Sequence, residues 1–389
     1  ISDAEAAFFS EETGVDWNVV FLLLGMMIIV SVMRETGVFE YLAIWAAKRA
    51  RGRPFPLMVL LILITATASA LLDNVTTVLL IAPVTILLCQ RLALPVVPYL
   101  LAEVFASNIG GTATLVGDPP NIIIASRGGL SFNDFLLHLA PVVVVLIAVL
   151  IGLCRWRFAD AFRSDEKRVA EILALNEREA IQDHRLLVQS LVVLGLVLAA
   201  FVLSPVLGYE PSVVALLGAG LLIAVTRVTT ETAPQDVEWG TLAFFMGLFI
   251  MVGGLVESGV LDALANSVAD FASGNLLAVT GVLLWGSGLL SGIVDNIPYV
   301  ASMSPVVAGI VGPDGEPQVL WWALALGADL GGNATLIGAS ANVVVAGIAA
   351  RNGTPIGFWQ FTRHGLVIAG ATLAVSTLYV WLRYFALAA

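Results

Sequence analysis

Five carboxylates, Asp73, Glu103, Asp118, Asp295 and Asp329, stand in stretches of this sequence that are otherwise almost wholly apolar. Ionisable groups in such surroundings are costly to bury and by default bind an ion or relay a proton. Two of them open Asp-Asn pairs, Asp73-Asn74 and Asp295-Asn296. Two more lie in a pair of near-copies, SNIGGTATLVGDPPN at 107–121 and ADLGGNATLIGASAN at 328–342, identical at seven of fifteen positions. The first copy supplies Asn108, Thr112, Thr114 and Asn121, the second Asn333, Thr335 and Asn342, and Thr77 follows the first Asp-Asn pair. Glycine and proline in these copies interrupt a helix, and chain unwound at membrane depth survives only where it is buried or lines a cavity. The exposed carbonyls and threonine hydroxyls suit a cation, a proton-bearing water or a polyhydroxy solute, and the half-helix ends add their dipoles.

Each residue also has a plainer use. Asp73 and Asp295 are good helix N-caps. Asp118, before two prolines, is a good turn residue, Glu103 at the start of its span can reach toward water, and small residues let helices pack closely. Asp329 resists these alternatives, because it lies inside the second copy where the first has Asn108. It is read as the chief proton or cation site, with Asp73, Asp118 and Asp295 sharing in proton coupling. Every Lys and Arg falls in a loop or at a span end, so only dipoles or a co-bound ion would neutralise an anionic cargo. The three histidines pair with no Ser or Cys for nucleophilic catalysis. Cys89 and Cys154 are too few for a disulfide framework or a thiolate cage and are read as lipid-facing or packing residues. No haem, iron–sulfur or zinc spacing occurs, so no cofactor or metal is expected.

The elements that position these residues must be membrane helices. Of 389 residues, 59% are hydrophobic and 12% charged, against about 25% charged in a soluble domain. Apolar runs near 17–33, 135–154, 186–204, 211–226, 239–256 and 365–385 are each long enough to cross a core of about 30 Å. Sorted along these spans, sixteen of the 18 basic residues fall on one side, leaving only Arg127 and Arg383 on the other. That side is cytoplasmic by the positive-inside rule. Residue 1 and the acidic segments 1–16 and 312–318 are then extracytoplasmic, and much of the net charge of −11 is an outer surface. Nucleic acid is not an expected partner; the lipid bilayer of the cytoplasmic (inner) membrane is.

The chain also repeats itself. A shift of 222 residues brings Trp17 onto Trp239, Gly25 onto Gly247, Asp73-Asn74 onto Asp295-Asn296 and Pro83 onto Pro305. A shift of 221 superposes the two near-copies. Five spans separate Trp17 from Trp239, and an odd number inverts the second copy. Inverted repeats with polar interruptions at matching positions are a signature of secondary transporters. The first repeat is 1–154, with a re-entrant hairpin at 57–88 and a broken helix at 98–126. A charged cytoplasmic linker follows at 155–185. The second repeat, 186–389, has its hairpin at 278–311 and its broken helix at 319–347. Hairpin arms of about sixteen residues would rise roughly 24 Å, so the tips are placed inside the membrane. Segments 38–50 and 260–272 are expected as amphipathic surface arms, and symmetry predicts two further helices before residue 1. The fold class is thus an all-α polytopic membrane protein.

The stretches LLDNVTTVLLIAPVTILLC, SNIGGTATLVGDPPNIIIAS and DNIPYVASMSPV resemble the ion transporter superfamily over nearly the whole chain, in particular its arsenite permease (ArsB-type) and P-protein branch. The resemblance implies a scaffold domain and a transport domain built of two hairpins and two broken helices. Sodium–dicarboxylate carriers of the superfamily have Ser-Asn-Thr at each hairpin tip. Here the tips read Asp73-Asn74-Val75 and Asp295-Asn296-Ile297, a departure that favours proton-linked exchange. Members of the arsenite branch export trivalent arsenite and antimonite, some with a cytoplasmic ATPase subunit. The expectation is therefore a non-enzymatic, proton-coupled exporter of arsenite or antimonite acting by antiport, to which an ATPase partner is admissible. The alternative is a sodium/proton antiporter or a sodium-coupled organic-anion carrier on the same fold. The chain has no GxxxxGK[ST] phosphate loop to drive a pump by itself.

Overall fold

The computed structural model describes residues 2–10, 13–162, 177–226, 237–261, 263, 265, 275–312 and 317–387. The middle of the linker (163–176), most of the arm 260–272, the acidic loop 313–316 and residue 1 lie outside the described residues. The described residues form helices and no strand, and seven helices are long and apolar enough to cross a membrane.

After a short α1 (Ser2–Phe9), α2 (Trp17–Glu35) starts where the Asp16 side chain accepts from the Val19 amide, and it stops before Gly37, at φ 76°. It packs with α10 (His184–Leu207) and α11 (Pro211–Val225) as a scaffold. A Cβ on Gly25 would lie 2.6 Å from the backbone of Ala215, so glycine sets how closely α2 and α11 approach. The arm α3 (Val38–Arg49) buries Phe39, Ala43, Ala46 and Ala47. On the linker, the turn Glu177–Ala180 docks against α3 through Lys48, whose Nζ lies 2.5 Å from the Glu177 carboxylate. The Lys48 hydrogen bond holds that half-buried carboxyl below the usual glutamate range.

Inversion of the repeats shows in direct contacts. The helix matching α2 is α12 (Trp239–Glu257). Its far end meets the chain that precedes α2: a Cβ on Gly253 would strike the Thr13 carbonyl at 1.9 Å, and Thr13 Oγ1 donates to Glu257. Its near end, at Glu238, shares a small cavity with Arg34 at the end of α2. Start faces end at both levels, so α2 and α12 run antiparallel.

The first hairpin is α4 (Pro54–Leu71) and α5 (Asn74–Leu92), and the first broken helix is α6 (Val96–Gly111) and α7 (Pro119–Gly128). Then α8 (Phe132–His138) and α9 (Ala140–Arg157) replace the single run expected at 135–154. A capping box at Ser131 starts α8 and Pro141, in the first turn of α9, starts a new helix. In the second repeat the hairpin is α13 (Leu276–Ser291) and α14 (Asn296–Val311), the broken helix α15 (Val319–Gly331) and α16 (Ser340–Arg351), and α17 (Phe358–Trp381) closes the chain. The arms of the second hairpin have the expected sixteen residues. Those of the first are longer, 18 and 19 residues, because Pro54 starts α4 early and α5 runs on until Ala93 turns left-handed, at φ 51°.

Length alone would let α4 and α5 cross, but their tip does not reach the far side. From its start beside the base of α5, α6 climbs about 24 Å to its break, where Asn74 at the tip is bonded. The ten residues of α7 then add about 15 Å beyond that level. The tip is therefore inside the membrane.

Packing repeats with the sequence. Each first arm lies along the first half of its own broken helix, α4 on α6 and α13 on α15. Each second arm lies on the second half of the other one, α5 on α16 and α14 on α7. A Cβ on Gly110 would sit 2.3 Å from the Ala66 carbonyl oxygen, and one on Gly331 2.3 Å from that of Gly288; both pairs correspond by the repeat. Cys89 and Cys154 are buried free thiols that pack inside the bundle, which rules out a lipid-facing position for either.

Gly110→Ala and Gly331→Ala should each destabilise the protein by about 1–3 kcal/mol through forced separation of two backbones, read as a lower thermal unfolding midpoint in detergent. Gly195→Ala on α10 has open space around it and should leave the midpoint unchanged or slightly raised. Equal midpoints for all three variants would remove close backbone approach as what fixes the hairpins.

Candidate functional site

The breaks at 112–118 and 332–339 are built alike. In the first, a Cβ on Gly111 would lie 2.5 Å from the Gly117 carbonyl and one on Gly117 2.4 Å from that of Gly111, so the loop folds back on itself through bare backbone. Gly332 and Gly338 do the same at 3.0 and 2.8 Å. Asn121 Nδ2 donates to the carbonyls of Gly111 and Thr114 (3.2 and 3.0 Å), and Asn342 Nδ2 to those of Gly332 and Thr335 (2.8 Å each). Each break is then tied to its hairpin. Thr114 Oγ1 donates to Ala70 O (2.5 Å) and Thr335 Oγ1 to Gly292 O (2.6 Å). Ser69 Oγ donates to Ser107 O (2.7 Å) and Ser291 Oγ to Ala328 O (2.6 Å). Backbone groups that the breaks free are thus satisfied within the protein, as the membrane requires.

Between the breaks a polar cluster joins the two repeats. Asn74 Nδ2, at the first tip, donates to Asp118 Oδ2 (2.7 Å) and Asn108 Oδ1 (3.3 Å). Asn108 Nδ2 donates in turn to Asn333 Oδ1 and Asn342 Oδ1, 3.0 Å each. Asn108, Asp118, Asn121, Asp329, Asn333 and Asn342 are completely buried. Thr112 and Asn121 lie against the Asp329 carboxylate, and Asn296 beside that of Asp118, without closing to hydrogen-bond geometry. Asp118 is also within electrostatic reach of Asp73, Asp295 and Asp329, so the four carboxylates surround one centre.

The expected residues fall into two groups. Asn74, Asn108, Asp118, Asn296, Asp329 and Asn333 face the centre, and Asn121 and Asn342 turn a carbonyl oxygen toward it while their amides hold the breaks. Asp73 and Asp295 sit at its edge, where they cap: Asp73 accepts from the Thr76 amide (2.7 Å), and Asp295 accepts from the Ile297 amide (3.0 Å) and Ser340 Oγ (2.8 Å). Thr112 Oγ1 is returned to Asn108 O in its own helix (3.0 Å). Thr114 and Thr335 pin hairpins rather than line a pocket, because their hydroxyls are already donated to carbonyls. Thr77 is buried with its hydroxyl unpaired. Glu103 does not reach water: it is 1% exposed, and Thr85 donates to it from α5. The pinning serines were missed, although Ser69 and Ser291 correspond at the 222-residue shift and gave that signal.

A cavity of about 190 Å³ reaches the edge of the cluster at Asp73, Pro119 and Ser340, between the hairpin tips and Met26 and Glu238 of the scaffold side. Glu238 and Arg34 continue it toward the basic face. A larger cavity of about 410 Å³ lies elsewhere, among Asn18, Ser126, Ser204 and Ser212, and touches none of the four carboxylates. Of the two, only the smaller touches the polar cluster. Asp118 and Asp329 are completely buried behind that edge. Among the described residues no three or more His, Cys, Asp or Glu side chains stand close enough together to share a metal ion.

Comparison with known proteins agrees with this architecture. A 46 kDa membrane protein of Mycobacterium leprae is 55% identical over 387 residues, covering 99% of this chain and 90% of that protein. A transporter of Mycobacterium tuberculosis is 57% identical over 388 residues, with the same coverage. The human P protein is 34% identical, covering 94% of this chain and 53% of its own length. The YdaH transporter of Alcanivorax borkumensis superposes with a TM-score of 0.65 at 16% identity, over 93% of this chain and 84% of that one, a likeness of fold. The family model described as citrate transporter matches residues 6–327, and the chain belongs to this CitMHS family of membrane transporters.

Proposed function

We propose that this transporter exports a small uncharged polyhydroxy solute, trivalent arsenite or antimonite, in exchange for protons by alternating access, with its basic face toward the cytoplasm. One observation carries the reading. The polar atoms of the cluster left unpaired within the chain are mostly acceptors: Asn74 Oδ1, Asp118 Oδ1, Asn121 Oδ1 and both oxygens of Asp329, against the amides of Asn296 and Asn333. Such a set calls for a partner that donates. Protons and the hydroxyls of As(OH)3 donate; a carboxylate only accepts.

Helix ends point the same way. Positive N-termini of four helices converge here, which would by itself favour an anion. The starts of α5 and α14 are already occupied by the Asp73 and Asp295 carboxylates. The start of α7 has two prolines, which lack N–H groups, behind Asp118. Only α16 begins without a carboxylate. In the proposed cycle, the tips and breaks bind the solute from the basic side, and proton loading of Asp329, with Asp118 and the edge carboxylates, returns the carrier from outside. The family's description favours a second reading, a sodium-coupled organic-anion carrier, in which a cation bound at the carboxylates offsets the charge of the cargo; a sodium/proton antiporter uses the same ligands.

Everted membrane vesicles with an acid interior and no ATP should accumulate arsenite, and a protonophore should collapse the gradient. The absence of ATP separates the carrier from any ATPase subunit. Accumulation of citrate driven by sodium, with none of arsenite, would replace this reading by the second.

Asp329→Asn keeps size and hydrogen-bonding capacity but cannot exchange a proton. The variant should still move arsenite down its own gradient while losing all response to a pH gradient. Full proton coupling in it would remove Asp329 from the mechanism.

A further inference from the structure

Outside the central cluster one buried carboxylate has no role so far. Glu103 lies seven residues into α6, about 10 Å along the helix from its basic-face end. Its Oε1 accepts from Thr85 on α5, and its Oε2 has no partner within the protein. A glutamate kept only for packing would be expected to fill both oxygens with donors.

We propose that Glu103 is a second proton-binding site, a stage in a lane between the basic face and Asp118 that α6 and the first hairpin enclose; this rests on the proton-coupled reading. One turn further along α6 is Ser107, and its partner on α4 is Ser69, with Ser107 Oγ donating to Ser69 Oγ at 3.2 Å and to Asn74 O at 2.9 Å. Asn74 then holds Asp118. One turn back from Ser69 on α4 is Thr65, buried and with an unpaired hydroxyl. Polar side chains thus recur four residues apart on both helices, Thr65 and Ser69 on α4 and Glu103 and Ser107 on α6. Moving the proton breaks one O–H bond at Glu103 and forms one at Asp118, leaving the first carboxylate charged and the second neutral.

The second repeat has no such lane. Leu324, Ala328 and Val307 stand where the first has Glu103, Ser107 and Thr85. The lane is therefore a departure from symmetry, on the side where α6 enters. Few other titratable groups face it. On α5 these are Cys89 and, past it, Arg91; α4 has none. On α6 itself there is Tyr99, whose hydroxyl donates to Pro54 O. Of the remaining neighbours, α9 brings Cys154, Arg155 and Arg157, α15 Asp329, α16 Arg351, and α17 Arg363, His364 and Tyr379.

Glu103→Gln preserves size and a Thr85 partner. In vesicles it should slow proton-driven arsenite uptake by about tenfold or more, while arsenite exchange between equal pools at equal pH, which needs no net proton movement, stays at the wild-type rate. Wild-type proton-driven uptake in Glu103→Gln would overturn the proposal, since a structural role alone predicts that result. If Glu103→Gln fails to insert, Thr85→Val should shift the midpoint of the pH profile of uptake, and an unshifted midpoint would overturn it. If the wild-type protein shows no proton-driven uptake, the functional reading fails by itself. The proposal is then decided in detergent: Glu103→Gln should bind one proton fewer than wild type on acidification, and an equal count would overturn it.

Discussion

Everything distinctive in this structure follows from the demand that backbone at membrane depth find its hydrogen bonds within the protein. A helix meets the demand by itself; the segments 112–118 and 332–339 do not. Their carbonyls are taken up by the amides of Asn121 and Asn342, and the loops close over pairs of glycines whose backbones touch. The hairpin tips face the same problem and share the solution, because Thr114 and Thr335 supply hydroxyls to the carbonyls of Ala70 and Gly292. Tip and break are thus one hydrogen-bonded unit in each repeat. Such bonds within a membrane are each worth about 0.6–2 kcal/mol, so the units hold by number rather than by any single contact.

Duplication supplies the frame, and departures from it supply the chemistry. At the end of the first broken half-helix the first repeat has Asn108 and the second Asp329; at the start of the next half-helix the first has Asp118 and the second Ala339. One carboxylate per repeat is kept, at different positions. Two exact copies of the first repeat would put both carboxylates at helix starts, and two of the second would put both at the ends of the first half-helices. The mixed arrangement leaves Asn108 as a neutral bridge to Asn333 and Asn342, with Asp118 and Asp329 on either side of it.

Much of this was legible in the sequence because it is written twice. The constant shift between the copies located the hairpins, the breaks and the inversion, and the excess of glycine marked where helices stop. What was not legible is direction. A threonine in an apolar stretch looks the same whether its hydroxyl lines a pocket or closes a carbonyl, and Thr114 and Thr335 do the latter. Asp73 and Asp295 were read as coupling groups with capping as the plainer use, and their oxygens are found on helix amides at the edge of the centre. The plainer use of Glu103, reaching toward water, requires that its span begin close by. Residues from Val96 onward are already helical, which sinks it two turns deep against Thr85. Single-residue depth depends on where neighbouring helices end, and no local pattern records that.

The bonding pattern also constrains which parts move together. Asn108 links the first tip and both breaks, while hairpin arms cross between repeats, α5 on α16 and α14 on α7. Shifting one tip alone would tear buried hydrogen bonds with no water to replace them. The scaffold is joined more sparsely: Ser126 on α7 donates to Asp16 at the start of α2, and between Met26 and Glu238 on one side and Asp73, Ile297 and Ser340 on the other lies a largely apolar cavity. Sliding across apolar contacts costs little that new apolar contacts do not restore. The low-cost motion is therefore of hairpins and broken helices as one body against the scaffold. In the proposed cycle such motion carries the carboxylates with the cargo, and the charge state of Asp118 and Asp329 sets whether the body crosses unloaded. On that proposal, two carboxylates without a counter-charge in a closed, low-dielectric centre hold the carrier back, and a proton or a donating solute releases it. Coupling then needs no separate gate.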